Sequence, residues 1–453
     1  MADLPQTFVW GAATASFQIE GDRAGRGDTV WDAFAQVPGA VADGTDGDVT
    51  CDHIHRYRED VALLRDLGVD AYRFSVAWAR VQPTGRGDFS ADGLGFYDRL
   101  VDELLGAGVE PWVTLYHWDL PLELQLAGGW ASRRTVDHFV EYALTVQEAL
   151  GDRVKRWATH NEPWCAAWLG HGNGVHAPGV RDHALAARVT HHLLLSHGRA
   201  VAAMRQQDPD AAYGIVLNLD NVRAADDAAV TRDALPAYDA LRNRVWLDPL
   251  AGRGYPADAL ELLHPHLDGA VEPGDLDQVA TPTDWLGLNY YNDAVFEAGE
   301  GAVPTVELLQ PGLELVRQAD PGADATAMGW PITPDGFTDV LVRLQEEYAG
   351  LGPFVVTENG SAWDDDPTPG PDGVVEDPRR VAYLHAHLEA LDEARRRGVD
   401  VRGYFAWSLL DNFEWALGLS KRFGLVRVDF DTLERTPKRS YLAYRDAVAA
   451  RRG

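Results

Sequence analysis

What most restricts this chain is a rhythm in which short β-rich apolar runs alternate with long stretches of helical periodicity. Eight such runs can be marked: Phe8 to Thr14, Ala71 to Val76, Glu110 to Tyr116, Arg156 to Asn161, Tyr213 to Leu219, Trp285 to Tyr291, Phe354 to Glu358 and Val401 to Trp407. Between them lie amphipathic stretches such as Tyr57 to Leu67, Leu94 to Ala107, Thr135 to Leu150, Leu185 to Arg205, Gly336 to Tyr348 and Pro378 to Arg397. Continuous apolar strands separated by helices are the pattern of a parallel sheet covered by its own crossovers. Gly68, Gly108, Gly151 and Gly398 stand where left-handed caps would end four of the helices. Eight such units without a linker, repeat or low-complexity break predict an α/β chain closed as a single (β/α)8 TIM barrel, because a doubly wound sheet normally carries fewer strands. At 453 residues the whole chain, 1–453, fits one such domain.

Composition removes several classes of function. A formal charge of -30 disfavours nucleic acid as a partner, since phosphate binding needs clustered Lys and Arg. There is no apolar window long enough to span a membrane and no basic, apolar leader at residues 1–10, so a cytoplasmic enzyme acting on small molecules is expected. The two cysteines, Cys51 and Cys165, cannot build a disulfide framework, although one bridge between them is allowed. The histidine pairs lack any zinc spacing, so no metal is expected, and the lack of nucleotide or dinucleotide fingerprints leaves no cofactor. The absence of a GxSxG elbow argues against a serine hydrolase.

In a closed barrel of this kind, reactive residues collect where the strands end, because the loops after them converge on one mouth. The first strand is followed by Gln18 and Glu20, the second carries Arg73, and the third ends in His117, Trp118 and Asp119. The fourth delivers Asn161 and Glu162, the sixth Asn289 and Tyr291, the seventh Glu358 and Asn359, and the eighth Trp407 with Glu414 and Trp415 beyond it. Carboxylates, amides and indoles suit a neutral polyol better than a phosphate or a metal. Two carboxylates at separate strand ends, Glu162 and Glu358, fit glycoside hydrolysis, in which one group protonates the leaving oxygen and the other acts at the anomeric carbon. Whether they stand at the roughly 5 to 5.5 Å of retaining enzymes or the larger gap of inverting ones is not encoded in spacing along the chain.

The motifs at these exits are specific. The run Phe8 to Gly21 (FVWGAATASFQIEG), Tyr72 to Ser75 (YRFS), His117 to Pro121 (HWDLP), Asn161 to Pro163 (NEP), Thr357 to Gly360 (TENG) and the pair Glu414 and Trp415 occur in that order over nearly the whole chain. Together they resemble glycoside hydrolase family 1, and the bacterial β-glucosidase type within it. The resemblance implies a retaining double displacement on β-glucosides such as cellobiose, with side activity on β-galactosides and β-fucosides and a place in cellulose degradation. It makes Glu162 the acid/base and Glu358 the nucleophile, supported by Arg73, Asn289 and Tyr291. It also implies that Gln18, His117, Asn161, Trp407, Glu414, Trp415 and Phe423 bind the first sugar, and that Leu169, His176 and Trp330 line an outer subsite.

Family members that act on 6-phosphorylated sugars carry Ser at the place of Glu414, and the plant thioglucosidases carry Gln at the place of Glu162; this chain has Glu at both. His160 departs from the family pattern, and strand alternation turns it away from the mouth. Two alternatives remain at this stage: a transglycosylase using the same covalent intermediate, and a sugar-binding barrel that has lost catalysis.

Overall fold

A computed structural model describes residues 8–267, 269–299 and 316–452. Eight parallel strands close on themselves: β1 (Val9–Ala13), β2 (Ala71–Ser75), β3 (Glu110–Tyr116), β4 (Arg156–Asn161), β5 (Ala212–Asn218), β6 (Trp285–Asn289), β7 (Phe354–Asn359) and β8 (Val401–Trp407). Each pairs with its neighbours in chain order, and β1 completes the ring by lying beside both β2 and β8. The expected strands lie where the sequence put them. β6 stops at Asn289 rather than Tyr291, because Tyr290 and Tyr291 leave the ladder.

The interior is filled by side chains of mixed size, Val9, Ala13, Trp112, Ala158, Val216, Trp285, Val355 and Phe405 among them. Large rings on some strands require glycine on the adjacent ones. A Cβ on Gly11 would lie 2.3 Å from the Phe405 ring, and one on Gly214 would lie 2.5 Å from the Trp285 indole. These contacts explain why two glycines persist in strands that otherwise disfavour them.

The helices pack outside. His53–Leu67 buries Tyr57, Val61, Leu64 and Leu67, a spacing of four and three that turns one face inward. It ends at Gly68 with φ 72°, whose N–H bonds the carbonyl of Leu64. Ala91–Gly106 begins at Ser90, whose hydroxyl accepts the Gly93 N–H, a cap worth about 1 kcal/mol. Gly108 and Gly398 also have positive φ, as expected. Gly151 does not: its φ is -71°, and the helix Arg133–Leu150 ends there in right-handed geometry. The glycine is needed for room, since a Cβ would stand 2.5 Å from the Gln147 carbonyl oxygen.

Several elements carry no strong periodic signal in the sequence. After β5 the chain forms a helix at Ala229–Asp239 and a three-stranded sheet of Val222–Ala224, Ala294–Ala298 and Val316–Gln318. A π-helical turn, Cys165–Gly172, follows β4. A hairpin of Val426–Val428 with Arg435–Pro437 precedes the final helix, Arg439–Arg452. No helix among the described residues is long and apolar enough to cross a membrane.

Candidate active site

At the carboxyl ends of the strands lies a cavity of about 300 Å³. Its wall includes Glu162 and Glu358 together with His117, Leu169, His176, Asn289, Tyr291, Trp330, Trp407, Glu414, Trp415 and Phe423. Twelve of the fifteen residues to which the family resemblance gives a role therefore line one space. The other three, Gln18, Arg73 and Asn161, are fully buried directly behind the wall.

A chain of hydrogen bonds connects the two glutamates through four strand ends. Arg73, on β2, donates Nη1 to Glu358 Oε1 at 2.7 Å and Nη2 to Asn161 Oδ1 at 2.6 Å. Asn289, the last residue of β6, donates Nδ2 to the same Asn161 oxygen at 3.0 Å and to Glu162 Oε1 at 2.6 Å. Tyr291 leaves the ladder in order to donate its hydroxyl to Glu358 Oε2 at 2.7 Å. Asn161 Nδ2 lies 3.0 Å from His117 Nε2, so this amide acts as the hub between the carboxylates and the third strand.

The electrostatics differ at the two ends of this chain. Burial raises both carboxyls, but Glu358 is pulled back by the Arg73 charge and the Tyr291 hydroxyl. Glu162 has no cation in hydrogen-bond contact; burial first, and then the charge of Glu358, push it up to about 7. Both carboxyls thus lie above the ordinary range, with the cation and the phenol hydroxyl acting on Glu358 alone. His117 lies well below the ordinary histidine range through burial and the nearby Arg73 charge, which leaves a neutral imidazole. Glu414 is pushed up to about 8, by burial and then by the charges of Glu358 and Glu162.

Some polar atoms here have no partner in the protein: Gln18 Oε1, His117 Nδ1 and Glu414 Oε2 are all buried and unbonded. Leaving such groups unpaired costs about 1–3 kcal/mol each, which a ligand rich in hydroxyls would recover. The Trp407 and Trp415 indoles border the same space, each nearly parallel to the His117 ring. Three non-glycine residues at or beside the wall, Trp118, Glu162 and Trp415, have positive φ, a conformation costing on the order of 1 kcal/mol or more that tends to gather at functional sites.

Other strand-exit residues serve the scaffold. Glu20 accepts from Arg80 and from Tyr97, and Asp119 accepts from Ser16. His160 packs against Phe139 and bonds Ser196 behind the barrel wall, as its strand alternation indicated. Cys51 and Cys165 are both free, so the allowed bridge does not form; one lies against the Asp411 carbonyl and the other beside Glu162. The sequence reading missed much of the outer wall: Trp164, Cys165, Asn218, Asp220, Tyr238, Arg242 and Gln318. Arg242 bonds Asp220 and stacks 4.0 Å over the Trp164 ring. Trp164 and Cys165 sit at the start of the π-helical turn, Asn218 at the end of β5, Asp220, Tyr238 and Arg242 in the segment after β5, and Gln318 on a short strand after β6, where no motif marks them.

A closed barrel with two carboxyls facing one cavity at its strand ends has the arrangement that glycoside hydrolysis requires. The family model described as Glycosyl hydrolase family 1 matches residues 1–453, and the chain belongs to that family. It is 47% identical over 448 residues to the thermostable beta-glucosidase B of Thermobispora bispora, covering 98% of this chain and 90% of that protein. It is 44% identical to a bifunctional beta-D-glucosidase/beta-D-fucosidase of Bifidobacterium breve, with 98% of each chain covered. The crystal structure of a psychrophilic beta-glucosidase from Micrococcus antarcticus superposes with a TM-score of 0.92 at 47% identity, covering 99% of this chain and 97% of that one.

Proposed function

We propose that this protein is a retaining β-glucosidase that removes terminal non-reducing β-D-glucosyl residues from small β-glucosides and oligosaccharides such as cellobiose. The observation that carries the reading is the unequal support of the two carboxyls: Glu358 is bonded by Arg73 and Tyr291, while Glu162, in the same cavity, is met by an amide and a thiol. The first group stays a carboxylate and can attack; the second stays protonated and can donate.

In the first step a Glu358 oxygen forms a bond to the anomeric carbon as the glycosidic C–O bond breaks. The leaving oxygen takes the Glu162 proton and departs as an alcohol. The resulting ester removes the Glu358 charge, so the Glu162 pKa falls and its carboxylate can accept a proton from water. That water attacks the same carbon, Glu358 leaves, and the product has the β configuration of the substrate. Gln18, His117, Asn161, Glu414 and Trp415 would hold the sugar's hydroxyls and Trp407 its ring; the unpartnered Gln18, His117 and Glu414 atoms support this. Leu169, His176 and Trp330 would line the outer subsite. The Bifidobacterium breve relative supports the further reading that β-fucosides are accepted, and galactosides with them.

Proton NMR of the first turnovers tests the stereochemistry: β-glucose must appear before mutarotation. Glu358→Gly should lose at least about 10⁴-fold in kcat, and azide should restore turnover while yielding an α-glycosyl azide. Wild-type rates in that variant would end the assignment. Product analysis at high cellobiose concentration separates hydrolysis from transfer to a second sugar.

A further inference from the structure

Glu162 is held at both carboxyl oxygens, by donors of different strength. Oε1 accepts the Asn289 amide at 2.6 Å. Oε2 is met by the thiol of Cys165, with the sulfur 3.2 Å away. The direction of that bond follows from the thiol's other neighbour. Asn218 Nδ2, which can only donate, points at the same sulfur from 3.4 Å, so the S–H is left for Glu162.

The placement of this thiol is built into the fold. Cys165 opens the π-helical turn directly after β4, and its N–H bonds the Glu162 carbonyl at 2.9 Å. With Glu162 at φ 45°, that bond folds the two side chains back onto each other. Asn218 is the last residue of β5, and its carbonyl is gripped by Arg242 Nη1 at 2.7 Å. Cys165 is 5% exposed and unbridged. Burial and the adjacent Glu162 charge push its own ionisation well above the ordinary thiol range, so it stays a donor.

We infer that Cys165 is a positioning residue for the proton donor: it orients Glu162 Oε2 and, because S–H is a weak donor, leaves the proton on that carboxyl until the leaving oxygen takes it. A hydroxyl in its place would stabilise the carboxylate more, lower the Glu162 pKa and leave less of the group protonated to act as the donor. The inference rests on the acid/base reading of Glu162. The other groups acting on that carboxyl are Asn289 at the end of β6, Glu358 from β7, Glu414 from the segment after β8, Tyr291 beyond β6 and Arg242, and all of these residues stay in place in both variants.

The experiment compares pH profiles of kcat/KM for Cys165→Ser and Cys165→Ala with the unaltered enzyme, on cellobiose and on a dinitrophenyl β-glucoside. Cys165→Ser should move the alkaline limb down by about 0.5 to 1 pH unit, whereas Cys165→Ala should move it up by a few tenths. In Cys165→Ala, kcat on cellobiose should fall about 5- to 20-fold, and that on the activated glucoside less than about twofold. An alkaline limb unmoved in both variants, or equal losses on both substrates, would overturn the inference, since a space-filling role predicts that result.

Should neither variant fold, the S–H stretching band of the unaltered protein decides the matter. The Cys165 band must shift to lower frequency as Glu162 ionises, while that of Cys51, bonded to the Asp411 carbonyl, stays put; a static spectrum overturns the inference. Glu162→Ala keeps the two readings apart. Undiminished cellobiose turnover in that variant ends the acid/base assignment itself, whereas its loss beside an unmoved cysteine profile ends only the role given to the thiol.

Discussion

The inner and outer halves of the cavity are made in different ways. The inner half consists of strand-end residues, Arg73, Asn161, Asn289 and Glu358, whose backbones are fixed by the barrel ladder and whose side chains bond one another. The outer half is carried by a π-helical turn, by the segment after β5 and by the run that includes Met328 and Trp330. There ring contacts, as between Trp330 and both Tyr291 and Phe423, stand beside the Arg242–Asp220 ion pair. A bond network anchored on a closed sheet holds geometry to fractions of an ångström; aromatic packing on loops tolerates exchange. The inner half should therefore govern kcat, and the outer half KM and the choice of leaving group.

The largest effect should come from Arg73→Met, which removes the cation from Glu358 and the donor from Asn161 together. We expect kcat to fall by about 10²- to 10³-fold on every substrate; a loss confined to KM would place Arg73 with the outer wall and break the comparison. Next comes pH. Because Glu162 is raised to about 7, the protonated fraction of this acid is lost as pH rises through that value, and kcat/KM should fall about tenfold per pH unit beyond it. A flat profile to pH 9 would contradict the proton donor. Trp330→Ala should raise KM for cellobiose by less than about tenfold with kcat nearly unchanged, and a kcat effect of the Arg73 size would erase the distinction between the halves.

The smallest expected effect is on stability. Glu414 has a folded pKa of about 8, well above its unfolded value, so the folded state holds the extra proton and stability declines as pH rises between about 4.5 and 8. Glu414→Gln should accordingly raise Tm at pH 8 by about 2–5 °C, with no gain at pH 4. An equal gain at both pH values would mean that ionisation is not the cause.

The same division governs what could be read from the sequence. Barrel strands announce themselves because both faces are buried, so the apolar runs are unbroken, and the residues just beyond them can be located by position alone. Glu162, Glu358, Arg73 and Asn289 were legible for that reason, and the motif resemblance supplied their roles. Arg242, Asp220 and Cys165 were not. They reach the cavity through an irregular turn and a long insertion, where neither periodicity of two nor of 3.6 fixes a direction. Gly151 failed differently: glycine at a helix end has two uses, a left-handed turn or simple clearance, and the sequence does not distinguish them.

The bond chain from Glu358 through Arg73, Asn161 and Asn289 to Glu162 ties together β2, β4, β6 and β7, with Arg73 and Glu358 lying 285 residues apart in the chain. No fragment comprising half of the strands holds every member of it. During folding, competence must therefore arrive late, after the first and last quarters of the polypeptide have met, and recovered turnover on refolding reports completion of the ring rather than growth of secondary structure. For the same reason, two inactive halves that cannot interlock should stay inactive at any concentration, whereas a pair able to seal both seams would regain the whole chemistry at once.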